Sequence, residues 1–416
     1  MKLRRLKRFI SFGWLFFFLT LFGRGLIGDV TGKPLAYLVQ ILVVTVYLLY
    51  LTRLRIRIDV GKDWLYVAVI LSAFLSMLLS YNNVGEGIFY FFPLIAFTAF
   101  INFASVKITA LSRYDDSFRR TLIVVGIILF LAASLQQLGY MEFSEDSDST
   151  IGSVIRPSSL TGSYLHYPIV MALIFFICCE RCAKGRFNGQ FVIASVFLVA
   201  VAASFSRSGM FIVLAGFGIW IIFHYKYRSI PIVLGFVCLF VFAIATENIF
   251  VDKGGIISEF VSRYLLAVDL GSAGNEERAA AWMLGIEAWI KGAVVLGSQF
   301  GLFNNISGNL GGKHVGVVES GVLEMLTAMG AIGTALYYGM WVRIGSLISP
   351  AHKWLRAGFI AALLEGLFYQ SIEIIPFIVT LSLFPVFSKY LQAPPVFSAK
   401  RGPMVPAGGE PSVAET

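Results

Sequence analysis

Long apolar stretches alternate with short polar stretches along almost the whole chain. A helix that crosses a bilayer needs about 20 mostly apolar residues. That template predicts twelve spans, at approximately 9–25, 34–52, 64–81, 87–104, 121–139, 166–180, 190–206, 208–224, 229–247, 317–342, 354–370 and 372–389. The pattern therefore predicts an all-α polytopic membrane protein, with residues 1–391 as a single membrane domain. Residues 392–416 are rich in Pro, Gly, Ala and Ser, which is typical of a disordered tail.

The composition supports the same class of protein. Hydrophobic residues make up 57% of the chain and charged residues 14%, whereas soluble domains carry about a quarter charged residues. The formal net charge is +9, and 24 of the 33 lysines and arginines fall in segments on the same side as the N-terminus. This distribution follows the positive-inside rule and predicts that both termini are cytoplasmic. The basic residues thus indicate orientation, and we expect no nucleic-acid partner.

The segment at about 248–316 is the only long interruption between apolar stretches, and we expect it to be a large, partly helical loop on the outer side. Within it, Trp282, Ile286 and Trp289 recur at three- and four-residue spacing, which predicts an amphipathic helix over residues 276–290. We expect its tryptophans to lie at the level of the lipid headgroups. The glycine-rich stretches at 297–301 and 308–312 predict flexible turns.

Among the arginines on the predicted outer face, we single out three: Arg156, Arg207 and Arg278. Arginine has a permanent charge and a planar fork that binds phosphate through two hydrogen bonds, so three together indicate a site for a phosphorylated ligand. The alternative is that each side chain extends to water or pairs with a nearby glutamate.

Glu319 and His314 are the outer residues that we single out as candidate bases, and His166, at the start of the sixth span, has the same chemistry. Glu319 begins an otherwise apolar stretch, where a carboxylate is costly and commonly functional. It would alternatively be a helix N-terminal carboxylate stabilised by the helix dipole, and His314 would alternatively be a solvated loop residue. The pair Asp146 and Asp148 has the form of a divalent-metal site, but such a pair is common by chance, and we expect no metal.

Four segments together resemble the O-antigen polymerase/ligase superfamily. Residues 156–168 carry an Arg…Gly…Pro loop, and residues 206–209 read Ser-Arg-Ser-Gly between two spans. Residues 278–301 carry Arg-x-x-x-Trp followed by a glycine turn, and residues 319–333 carry Glu-Ser-Gly followed by Met-Gly-Ala-Ile-Gly. Their order, spacing and shared outer placement carry the resemblance.

The resemblance implies a GT-C-like membrane glycosyltransferase of the bacterial inner membrane that needs neither metal nor cofactor. Its substrates would be glycans on undecaprenyl pyrophosphate at the periplasmic face, as both donor and acceptor, with the bilayer around it. Arg156, Arg207 and Arg278 would bind the donor pyrophosphate. A chain-length regulator is a further candidate partner.

One residue separates the branches of this superfamily. Ligases typically have a histidine 11 residues before the glycine matched by Gly330, and Glu319 stands there instead. We therefore favour polymerisation of repeat units for O-antigen, capsule or exopolysaccharide over ligation to a lipid A-core acceptor. A lipid-glycan exporter or transporter is the non-enzymatic alternative, which would place ionisable residues deep within several spans.

Overall fold

A computed structural model describes most of the predicted membrane domain. The described residues are 15–52, 60–80, 115–142, 150–151, 154–182, 187–225, 273–304 and 316–392, with six residues between 87 and 98. The predicted span at 229–247, the acidic pair Asp146 and Asp148, the turn at 308–312 and the tail beyond residue 392 lie outside them.

The described chain is predominantly helical, as predicted. The helices are α1 (Arg24–Thr31), α2 (Lys33–Thr52), α3 (Val60–Leu79), α4 (Asp115–Gln137), α5 (His166–Cys182), α6 (Phe187–Ala203), α7 (Arg207–Tyr225), α8 (Ala273–Lys291), α9 (Gly321–Ser346), α10 (Lys353–Glu365), α11 (Ile375–Ser382) and α12 (Phe384–Gln392). Residues 15–22 are also helical. Two short strands, β1 (Thr150–Ile151) and β2 (Val154–Ile155), pair antiparallel ahead of α5. Single turns of 3₁₀-helix cover Ser159–Thr161 and Ser371–Glu373.

Two of the described helices are long and apolar enough to cross a membrane, Arg119–Gln137 and Arg207–Tyr225. Both coincide with predicted spans. Shorter apolar helical stretches coincide with four more, at Lys33–Val46, Trp64–Leu79, Gly189–Ala203 and Ile375–Ser388. Large apolar side chains are exposed on α2, α3, α4 and α6, including Leu42, Leu71, Leu131 and Val199.

Helix α5 forms the centre of the helical core. Every residue from Tyr167 to Arg181 is buried, and α6, α7 and α10 pack around it. The ring of Phe176 lies between Gly216 of α7 and Gly358 of α10, and a methyl group at either glycine would overlap it. Small residues thus let the helices approach closely, which is a common way for helices to pack in a membrane.

A buried hydrogen bond joins α5 to the start of α10. The imidazole Nδ1 of His352 lies 2.9 Å from Oε1 of Glu180, and the second carboxylate oxygen accepts the backbone N–H of Trp354 at 3.0 Å. The indole of Trp354 stacks on Trp220 with ring centroids 4.3 Å apart. Glu180 therefore satisfies a free N–H in the first turn of α10, although it lies on another helix.

Helix α9 is kinked at Gly330, which has φ 66° and ψ −172°. The kink frees the N–H groups of Ala331 and Ile332, which donate to the carbonyls of Val294 and Val295 at 3.0 and 3.1 Å. A Cβ atom at Gly330 would overlap the backbone of Gly297 and Val295, so only glycine fits this crossing. The predicted span at 317–342 is thus a helix in two segments.

The glycine turn at 297–301 is packed rather than free in space. Its Phe300 is fully buried, with its N–H donating to the Ser80 hydroxyl at 3.0 Å, and the Ser76 hydroxyl donates to the carbonyl of Leu296. A turn is present, as predicted, and these contacts hold it in place, which glycine content alone does not reveal.

Candidate functional site

Helix α8 carries three polar contacts along one side. Asn275, Arg278 and Trp282 are spaced by three and four residues, which places them on the same helix face. The predicted helix over 276–290 is confirmed as Ala273–Lys291. Its Trp282 side packs on protein: Gly285 faces Val318, and the Trp282 ring lies 6.3 Å from that of Phe368.

Arg278 and Trp282 both bind Glu319. The guanidinium Nε of Arg278 lies 2.7 Å from Oε2 of Glu319, and the indole N–H of Trp282 donates to the Glu319 carbonyl at 2.6 Å. The side chains of the ion pair are 28% and 37% exposed, respectively. The Arg-x-x-x-Trp segment and the Glu-Ser-Gly segment therefore form a single structural unit.

Backbone contacts fix Glu319 where it stands. It lies one residue before Ser320, the N-cap of α9, whose hydroxyl accepts the N–H of Leu323 at 3.3 Å. The N–H of Gly321 donates to the carbonyls of Gly366 and Tyr369 at 2.9 and 3.1 Å. Glu319 therefore precedes the helix. Its carboxylate binds Arg278, whereas the alternative prediction had it interacting with the dipole of α9.

Arg207 is the first residue of α7 and reaches α8. Its Nη1 donates to Oδ1 of Asn275 at 2.8 Å. The Ser206 hydroxyl accepts the N–H of Gly209 at 3.3 Å, which caps the helix, and Gly209 packs against Pro168. The Ser-Arg-Ser-Gly segment thus provides a helix start that directs Arg207 toward α8.

Arg156 is the third of the predicted arginines and lies directly after β2. It is buried, and its guanidinium lies 3.9 Å above the ring of Tyr164. Tyr369 connects the two sides, because its hydroxyl is within electrostatic range of both Tyr164 and Glu319. The structure therefore brings Arg156, Arg207 and Arg278 into one region.

Sequence reasoning did not assign a role to Arg24, which lies in the same region. Arg24 is 6% exposed, and its charge acts on the imidazole of His166, at the start of α5. A built Cβ at Gly25 would come within 2.8 Å of the Gly162 backbone, so the start of α1 lies against the Arg156 loop. The one feature of the sequence that pointed to Arg24 was its position on the predicted outer side, which it shares with Arg156, Arg207 and Arg278.

A group of buried acids lies close to Glu319 and Arg278. The hydroxyl of Tyr90 donates to Oε1 of Glu324 at 2.7 Å, and the Glu373 carboxyl lies against that of Glu324. Glu365, at the end of α10, is buried beside the hydroxyls of Ser208 and Ser371 and within range of the Arg278 charge. Glu373 had not been singled out from the sequence.

The remaining predictions concern His314 and a metal site. His314 lies outside the described residues, so its role as a base stays a prediction. Among the residues that the structure describes, no group of three or more His, Cys, Asp or Glu side chains is arranged to hold a metal ion.

The chemistry available here is that of an anion site beside a carboxylate. Arg278 uses Nε for Glu319, and a guanidinium has four further N–H donors on its Nη atoms for an oxyanion. Glu319 is partly exposed and held by Arg278 and Trp282, so it can accept a proton from a hydroxyl bound next to that oxyanion. Comparisons with protein-family models, with curated proteins and with solved structures each returned no match.

Proposed function

We propose that this protein polymerises undecaprenyl-pyrophosphate-linked oligosaccharide repeat units of a bacterial surface polysaccharide at the periplasmic face of the inner membrane. The observation that carries the proposal is the face of α8, which joins Arg207 through Asn275 and Glu319 through Arg278. This supports the proposal because arginines and a carboxylate lie side by side, and a glycosyl transfer from a lipid pyrophosphate requires a phosphate-binding group next to a base.

A multi-pass arrangement in the membrane is part of this proposal. Support comes from the two long apolar helices and from the exposed apolar side chains of α2, α3, α4 and α6. Exposure of such side chains is unfavourable in water and favourable in lipid. The proposed arrangement is GT-C-like with twelve spans and both termini in the cytoplasm.

In the proposed reaction, a hydroxyl at the non-reducing end of the acceptor attacks the anomeric carbon of the donor glycan. A new glycosidic bond forms as the bond from that carbon to the pyrophosphate oxygen breaks, with inversion at the carbon. Glu319 accepts the hydroxyl proton. Arg156, Arg207 and Arg278 stabilise the negative charge that develops on the departing undecaprenyl pyrophosphate.

The products that accumulate in cells test this function. In a strain that lacks the protein, we expect single lipid-linked repeat units to accumulate and long chains to disappear. Complementation with Arg278→Ala or Arg207→Ala should leave that pattern unchanged, whereas Arg356→Ala should restore chains. Arg356 is the control because it is an arginine of α10 outside the candidate site, with its guanidinium 5.4 Å from the ring centre of Phe223. Chain growth in both site variants at normal protein levels would refute the assigned roles.

The same strain distinguishes ligation from polymerisation. A ligase transfers finished chains to a lipid A-core or other acceptor, so its loss leaves long lipid-linked chains rather than single repeats. We favour polymerisation because Glu319 stands where the resemblance leads us to expect a ligase histidine, and Glu319 is the residue that both Arg278 and Trp282 contact.

An exporter is the second candidate, and the buried acids are the observation that favours it. Glu324, Glu365 and Glu373 lie buried within or beside helices, as in proteins that move protons or ions through a membrane. Purified protein in proteoliposomes separates the two functions. Lengthening of lipid-linked glycans without transfer across the bilayer supports the polymerase, whereas transfer that Glu324→Gln abolishes supports the exporter.

A further inference from the structure

The arginine at the start of α1 has a buried charge that no described carboxylate neutralises. Its Nη1 donates to the Tyr37 hydroxyl at 3.0 Å, and its guanidinium lies 4.0 Å from the centre of the same ring. Its Nε is buried and makes no hydrogen bond. Burying an ionised group without a counter-charge is costly, so this arrangement favours an anionic ligand.

A second buried nitrogen lies close to Arg24. Nδ1 of His166 is buried and makes no hydrogen bond, and the His166 imidazole is within electrostatic range of Arg24. Neither a cation nor a neutral imidazole neutralises a neighbouring arginine. Two nitrogens that lack partners, next to one uncompensated positive charge, form a set of groups suited to an oxyanion.

Arg156 lies on the same side and is oriented in a similar way. Tyrosine rings cover a face of each guanidinium, Tyr37 for Arg24 and Tyr164 for Arg156. In Arg24 this stacking leaves the buried Nε without a hydrogen-bond partner, and a planar or tetrahedral anion can accept from it. The close contact between Gly25 and Gly162 fixes α1 against the loop that carries Arg156.

We infer that Arg24 and His166, beside Arg156, form an anion-binding subsite for a phosphate or pyrophosphate group. Tyr369 is within electrostatic range of both Glu319 and Tyr164, the tyrosine that covers Arg156, and we take the ligand of the subsite to be one that also reaches the α8 site. Naming that ligand as a polyprenyl pyrophosphate rests on the proposed function. The phosphate chemistry itself does not.

Binding measurements on the purified full chain in detergent micelles test the subsite. The probes are farnesyl pyrophosphate and inorganic pyrophosphate, titrated by calorimetry. Because hydrogen bonds to charged groups contribute about 1.5–3 kcal/mol, Arg24→Gln should weaken farnesyl pyrophosphate binding by about tenfold to a hundredfold. Arg356→Gln, the matched control, should leave the affinity unchanged.

Folding is controlled by a second variant and a second readout. His166→Phe keeps an aromatic ring while removing both ring nitrogens, and it should also weaken binding. The melting temperature without ligand shows whether each variant is folded. Unchanged affinity in both folded variants overturns the subsite. Weaker binding of inorganic pyrophosphate as well supports recognition of the anion alone, and weaker binding of farnesyl pyrophosphate only supports recognition of a lipid headgroup.

The outcome separates this inference from the proposed function. If the wild-type protein elongates no lipid-linked glycan but loses pyrophosphate binding in Arg24→Gln, the subsite stands and the function fails. If elongation occurs and depends on Arg278 while Arg24→Gln binds normally, the function stands and the subsite fails.

Discussion

The Glu319→Gln substitution removes a carboxylate but keeps the length of the side chain and an oxygen that can accept from Arg278. Both members of the ion pair are partly exposed, at 28% and 37%, and exposed pairs contribute only about 0.2–1 kcal/mol to stability. The melting temperature should therefore fall by no more than about 4 °C. Loss of a general base, in contrast, should lower kcat by about 10²–10⁴-fold.

The assay is elongation of a lipid-linked repeat unit by purified protein, with the melting temperature recorded for each variant. Glu287→Gln is the matched control, because Glu287 pairs with Lys291 at 2.8 Å on the exposed side of the same helix α8. We expect that control to retain full activity. If Glu319→Gln keeps its activity within about tenfold of the wild type, less than the loss that a missing base produces, Glu319 is not the base.

Three further substitutions test contacts around the site. Trp282→Phe removes the indole N–H that binds the Glu319 carbonyl, so activity should fall by about tenfold, the equivalent of one hydrogen bond, in the same elongation assay. Gly330→Ala forces a side chain into a conformation open only to glycine, and it should destabilise the protein by at least about 3 kcal/mol in thermal unfolding. Glu180→Ala removes the hydrogen-bond partner of two groups, the buried His352 imidazole and the Trp354 N–H, and should cost about 1–3 kcal/mol for each in the same measurement.

Matched controls make these stability results interpretable. Gly339→Ala also replaces a glycine of α9, but the new methyl group meets open space, so the melting temperature should not fall. Glu287→Ala removes a glutamate from an exposed pair and should change stability by less than about 1 kcal/mol. Equal losses in a control and its test variant would contradict the corresponding packing argument.

The sequence was informative wherever a local pattern determines structure. Spacing of Trp282, Ile286 and Trp289 predicted a helix within three residues of the observed ends of α8, because helical periodicity is a property of neighbouring residues. The apolar stretches predicted the positions of α4 and α7 for the same reason.

Contacts between distant segments were beyond that reasoning. Spacing gives the face on which Arg278 lies but not its partner 41 residues away, Glu319. Likewise, nothing local marks Glu180 as the partner of His352, 172 residues further along. The surroundings of Arg24 could not be predicted either, because tertiary packing brings Tyr37 and His166 to it.

The crossing at Gly330 has a consequence for how sequences of this kind can vary. The segment after α8 is held to α9 by main-chain hydrogen bonds from Ala331 and Ile332, and the side chains of Val294 and Val295 are exposed. Evolution can therefore exchange those two valines freely without moving the site. Positions 297 and 330, where the backbones meet, should remain glycine in homologues that keep the same arrangement.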